Sequence, residues 1–93
     1  VNKREREHLD KVARLGCIVC RKMGKHSYPE IHHIGNQTMG KRADHYHTIP
    51  LCPYHHRLGG KGEAIHAGRK SFVERWGSES ELLAEVLHLT SFL

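Results

Sequence analysis

Two short spacings constrain this chain more than any other feature: Cys17-Ile-Val-Cys20 and Cys52-Pro-Tyr-His55. Each presents two metal-ligating side chains at knuckle separation, and two knuckles joined by a folded insert suit one tetrahedral zinc. Four protein ligands leave no position for water, so such a site is structural. The competing reading is buried free thiols beside a surface histidine, and the matched spacings argue against it. With 93 residues the chain buries a modest core, and chains this short often rely on a metal or disulfides. Its three cysteines are an odd number, which disfavours a full disulfide framework. Thiolates on zinc in a reducing compartment account for them more simply.

Fifteen Lys and Arg against ten Asp and Glu give a formal charge of +5 and a pI near 9.4. The excess is uneven. Arg57, Lys61, Arg69, Lys70 and Arg75 face only Glu63 and Glu74 over residues 57–75, whereas Glu79, Glu81 and Glu85 lie in a tail without Lys or Arg. A basic body with an acidic tail fits contact with a polyanion, although charge taken alone favours an ordinary solvated surface. No apolar run is long enough to span a bilayer, and no signal sequence opens the chain, so no membrane partner is expected. The first residue is Val1, and the chain is read as one domain over 1–93, the C-terminal part of a longer protein.

The pattern along the chain predicts α+β. Residues 2–15 read as a helix with Leu9, Val12 and Ala13 on its apolar stripe and Gly16 as its stop. Residues 21–29 read as loop, Glu30–Ile34 as a short strand, residues 35–42 as loop and Tyr46–Leu51 as a second strand. A helical turn after Cys52 carries His55, His56 and Leu58 until Gly59-Gly60 breaks it. Short helices are expected over Glu63–Ala67 and Arg69–Trp76. Ser78 and Glu81 form a capping box that starts a last helix, with Leu82, Leu83, Val86, Leu87 and Leu89 on its apolar face.

Six of the ten histidines lie between Glu30 and Arg57. His32, His33, His47 and His56 make a second cluster beyond the four zinc ligands. If the knuckles share a zinc, the strand before Cys52 and the turn after it are clamped together, and His33 approaches His56. Neighbours on a strand point to opposite faces, so His32 and His33 enter one site only where the strand end is distorted. One division makes His33 a general base and His32 a metal ligand. His66 has two readings: a third ligand, or a helix-face histidine bonded to a carbonyl. Asp44 and His45 have two readings, a supporting place behind the ligands or plain solvation, with solvation favoured and His45 outside the proposed shell.

The string from EIHHI to HTIPLCPYHHR resembles the HNH, or ββα-metal, endonuclease motif. In that family two strands and a helix hold one divalent metal, and a histidine activates water to cut phosphodiesters. The resemblance implies a small zinc-stabilised HNH domain with additional flanking helices. It puts His33 at the general base, His32 and His56 at the metal and His47 at the middle residue that braces the base. Cys17, Cys20, Cys52 and His55 fall at the structural zinc knuckles. The fuller pattern, LGCIVC, IHHIG, RADHYHTIPLCPYHHR and GEAIHAGRKSF, is similar to phage recombination-enhancement nucleases of the Ref type, which are RecA-dependent HNH nucleases. That likeness spans the whole chain, as their catalytic core. It implies DNA as substrate, a RecA filament as partner, and the cytoplasm of a bacterial host with a phage or prophage as source.

The expected activity is metal-dependent DNA hydrolysis. His32 and His56, with His66 in one of its readings, hold a catalytic magnesium, manganese or zinc ion beside the structural zinc. Arg57, Lys61, Arg69 and Lys70 are expected to hold the DNA backbone without reading bases. A zinc-stabilised, non-catalytic DNA-binding module would explain the cysteines and the charge but leave the second histidine cluster without a role. A protein adaptor would explain the leucine-rich last helix and little else.

Overall fold

The computed structural model describes residues 1–35 and 44–93. The loop expected over 35–42 lies outside them from residue 36 onward. The first helix, α1 (Lys3–Arg14), is started by a capping box in which Asn2 Oδ1 accepts from the Glu5 N–H at 2.8 Å and Glu5 accepts from the Asn2 N–H at 2.9 Å. It ends where expected. Gly16 has φ +72°, and a Cβ there would lie 2.8 Å from the His26 ring, so only glycine lets the chain turn from α1 into the first knuckle.

That knuckle is itself helical. Here α2 (Ile18–Lys22) takes in Arg21 and Lys22, which the sequence reading placed in a loop. Cys17 caps it, with Sγ accepting from the Cys20 N–H at 3.4 Å. The sheet has two antiparallel strands, β1 (Glu30–His33) and β2 (Thr48–Leu51). The second strand is shorter than Tyr46–Leu51 because Asp44 folds the preceding residues into a turn. Its Oδ1 accepts from the Tyr46 N–H at 2.9 Å, and its carbonyl accepts from the His47 N–H. Pro50 stands opposite Ile31, and the Ile34 N–H···His47 O bond fixes the alternation. Pro50 therefore falls at a pair that exchanges no ladder bonds, where its missing N–H is harmless.

After Cys52 the chain winds one wide π turn over Tyr54–Leu58, closed by the Gly59 N–H on Tyr54 O at 2.8 Å. A Cβ on Gly59 would approach Tyr54 O to 2.7 Å, so this turn too ends at a required glycine. The helix expected over Glu63–Ala67 shrinks to a 3₁₀ turn at Ile65–Ala67, with Glu63 and Ala64 in a turn bonded to Gly60 O. Helices α3 (Arg69–Trp76) and α4 (Glu79–Thr90) follow, the latter started by the expected Ser78/Glu81 capping box.

The fold is a small α+β arrangement whose core centres on β2. Thr48, Ile49, Pro50 and Leu51 are all buried, and α1, α2 and α4 pack against them. Val12, Ile18, Val19, Phe72, Leu82 and Val86 complete the interior. Burying each such large apolar side chain contributes about 1.5–3 kcal/mol. On α4, Leu82 and Val86 are buried and Leu83 and Leu89 partly so, while Leu87 is 43% exposed and lies off the core face. Among the described residues no helix is long and apolar enough to cross a membrane.

Candidate metal centres

The two knuckles meet. Cys17, Cys20, Cys52 and His55 are all buried, and their ligand atoms lie within 4.8 Å of one another. Cys20 Sγ is 3.8 Å from Cys52 Sγ, and His55 Nδ1 is 3.2 Å from Cys52 Sγ, 3.5 Å from Cys20 Sγ and 3.8 Å from Cys17 Sγ. Zinc–sulfur bonds of about 2.3 Å make tetrahedral edges of roughly 3.8 Å, with sulfur–nitrogen edges slightly shorter. The donor set and its spacing therefore fit a metal such as zinc. Burial pushes the bare Cys17 thiol up to about 11, so a thiolate at that position calls for a cation beside it. Trp76 covers the site, its ring 5.8 Å from that of His55 and its Nε1–H donating to Gly62 O.

A second group stands on the other side of the π turn. Successive residues of a helical turn point in widely separated directions, so His55 faces the cysteines while His56 faces β1. His56 Nε2 lies 3.2 Å from His32 Nδ1 and 3.0 Å from His66 Nε2. The three ligand nitrogens fall within 4.8 Å of one another, with His32 buried, His56 half-buried and His66 exposed. The outer nitrogens are occupied. Glu79 Oε2 lies 2.8 Å from His32 Nε2, and Glu30 Oε1 lies 2.8 Å from His56 Nδ1. A neutral ring that donates to its carboxylate there turns a lone pair inward, so in those tautomers His32 Nδ1 and His56 Nε2 face each other as lone pairs. Lone pairs at that separation repel unless a cation sits between them, and three imidazoles, two of them backed by carboxylates, are a donor set suited to zinc and similar ions. Burial lowers the pKa of His32, against the opposing pull of Glu79. Glu30 is held at about 2 by hydrogen bonds from Arg57 and then His56.

His33 looks the other way. The β1 strand is regular at this point, pairing His32 with Ile49 and His33 with Thr48, so the two histidines point to opposite faces with no distortion. His33 Nε2 lies 3.0 Å from His45 Nδ1. Its pKa is lowered by burial first and by His45 second, against Asp44. The residue beside His33 is thus His45, which the sequence reading left solvated. His47, expected to brace His33, instead sits exposed with Nδ1 3.2 Å from Asp44 Oδ2. The reason is the Asp44 turn, which sends alternate side chains to different sides before β2 begins.

Residues 2–91 match the family model described as recombination enhancement, RecA-dependent nuclease. The chain belongs to that family. Comparison with the curated proteins finds no match. As a member of this nuclease family the chain acts in recombination, and a nucleic acid is what its surface must meet.

Of the cations expected on the DNA backbone, two are already engaged. Arg57 donates from Nε and Nη2 to Glu30, the latter at 2.8 Å, and Arg69 Nε is 3.2 Å from Glu79 Oε1. Lys61 and Lys70 are exposed, and among the described residues no carboxylate is paired with either. Sequence reasoning missed Glu30 and Glu79, and favoured solvation over a supporting place for His45. Glu30 opens the EIHHI string and was within reach. Glu79 carried no signal, since it reads as part of a helix cap and meets His32 across 47 positions of sequence.

Proposed function

We propose that this chain is an HNH-type, metal-dependent endodeoxyribonuclease. Cys17, Cys20, Cys52 and His55 hold a structural zinc, while His32, His56 and His66 hold a catalytic divalent ion. The observation that carries this reading is the convergence of three imidazole nitrogens, two of them, on His32 and His56, backed by carboxylates on the outer nitrogen. The order of elements supports it: β1, β2 and a helical turn, with ligands on the first strand and the turn. A divalent ion held there supplies Lewis-acid polarisation of a phosphate oxygen and stabilises the leaving 3′ oxygen.

The chain's own residues do the rest. The His33 Nε2–H donates to His45 Nδ1, which leaves His33 Nδ1 as the lone pair that takes a proton from the attacking water. As the water oxygen bonds to phosphorus, the bond to the 3′ oxygen breaks and a 5′ phosphate remains. His33 and His32 lie on opposite faces of a regular β1, without the distorted end expected for bringing both into one site. This role for His33 therefore requires the phosphate to reach past the strand from the ion, and it rests on the His33→Ala test. Lys61 and Lys70 contact flanking phosphates, a contact that carries no base preference. In this reading DNA is the substrate and a RecA filament supplies targeting, and the family's description as a RecA-dependent nuclease supports it.

Plasmid and single-stranded DNA incubated with magnesium or manganese, with and without a RecA filament, test this directly. Cleavage that needs the ion and is lost in His33→Ala supports the nuclease reading. Tight DNA binding without cleavage in any of these conditions would replace it with a zinc-stabilised binding module.

A further inference from the structure

Three histidines of this chain carry the same outer arrangement. His56 Nδ1 meets Glu30, and Glu30 is held by Arg57 through contacts at 2.8, 3.0 and 3.2 Å. His32 Nε2 meets Glu79, and Glu79 is held by Arg69 at 3.2 Å. In a looser form, His55 Nε2 stands 3.9 Å from Glu63, which is bonded by Arg75. His66 is the exception, with no carboxylate among the described residues on its outer nitrogen.

We propose that Glu79 with Arg69, and Glu30 with Arg57, are positioning pairs for the ion at His32, His56 and His66. The proposal rests on the reading that this trio holds the ion. Each carboxylate fixes one imidazole tautomer, so that the nitrogen aimed inward is the one with the lone pair. It also adds negative charge behind the ring, which raises the donor strength of the inner nitrogen. Each guanidinium keeps its carboxylate from swinging away to water, and Arg57 does so with two N–H groups from a planar fork. Arg57 and Arg69 are thereby assigned to the metal centre rather than to DNA phosphates. The last helix joins the site through its first residue. The Ser78/Glu81 box satisfies the start of α4, which leaves the Glu79 side chain to reach His32.

The test uses protein whose cysteine site is filled with zinc, titrated with cobalt(II) and followed by visible absorption. Wild type should take one further equivalent. Glu79→Ala and Glu30→Ala should each bind it about 10- to 100-fold more weakly. Glu79→Gln should recover part of the loss, because its amide oxygen still accepts from His32 Nε2–H. Unchanged cobalt affinity in both alanine variants, with wild type binding normally, overturns the positioning pairs and leaves the trio standing as a metal site. Failure of wild type itself to take a further equivalent overturns the reading beneath. Should an alanine variant fail to fold, the glutamine variant decides, since unaltered cobalt affinity there removes any role for the charge. For the guanidinium groups, the Arg57→Ala/Arg69→Ala double variant should keep the wild-type salt dependence of DNA binding while losing cobalt affinity. A slope shallower by about two would make both arginines phosphate contacts and overturn their assignment.

Discussion

Cys17, Cys20, Cys52 and His55 are all buried, whereas the histidine trio runs from buried His32 through half-buried His56 to exposed His66. The two clusters share the π turn, which contributes His55 to one and His56 to the other. Their donors differ as their surroundings do. Three thiols and an imidazole buried beside Trp76 make a four-donor set, which would close the coordination of a zinc held there. Imidazoles at an open edge leave positions for water and phosphate. Adjacent residues on one turn can thus serve opposite ends, because what decides the role is how many protein donors converge and whether solvent reaches them.

The largest effect should come from breaking the closed cluster. In small metal-stabilised domains the apparent zinc-binding free energy is roughly 10–16 kcal/mol and is expressed as folding free energy. Cys52→Ser, or exhaustive chelation, should therefore abolish the cooperative circular-dichroism melt along with the bound zinc. A chelated protein that melts as the native one does would remove the distinction between the two clusters.

Next in size is the proton acceptor. His33→Ala should lower DNA cleavage on the order of 100- to 10,000-fold while melt, zinc content and DNA affinity stay close to wild type, since a general base acts in the transition state. Single-turnover cleavage beside a binding isotherm separates these quantities, and near-native cleavage would move the base elsewhere. His56→Ala should be comparably inactive yet partly recovered by raised divalent metal, whereas His33→Ala should not recover. Identical metal profiles for the two would mean that base and ligand have been confused.

A smaller contrast sits in the loop before β2. His45→Ala should slow cleavage less than His33→Ala, because it removes the partner of the base and not the base. His47→Ala should leave the rate near wild type, its ring being turned toward Asp44. If His47→Ala proves the more damaging, the Asp44 turn does not persist in the DNA complex. Smallest is the effect of Lys61→Ala with Lys70→Ala, which should reduce the salt slope of DNA binding by about two with no change in the melt. An unchanged slope would place the phosphates on a different face.

Much of this molecule is local and so could be read from its sequence. A knuckle spacing, a Ser–x–x–Glu box or a glycine after a helix acts over a few residues, and the closed cluster, the bounds of α3, the stop of α1 and the start of α4 followed from such signals. That His32 and His33 point to opposite faces follows from the same kind of rule, the alternation of a strand, and the distorted strand end expected for joining them in one site is not present. Tertiary structure alone decided which groups stand behind those histidines. His45 rather than His47 faces His33 because Asp44 closes a turn ahead of β2, and strand periodicity does not apply across a turn. Glu79 reaches His32 only because α4 packs on β2 with its first residue beside the far face of β1. Arg57 and Arg69 read as phosphate contacts while charge was counted along the chain, and the fold turned both toward carboxylates. Charge is a property of composition. The partner a charge meets depends on distances between segments that the sequence leaves far apart.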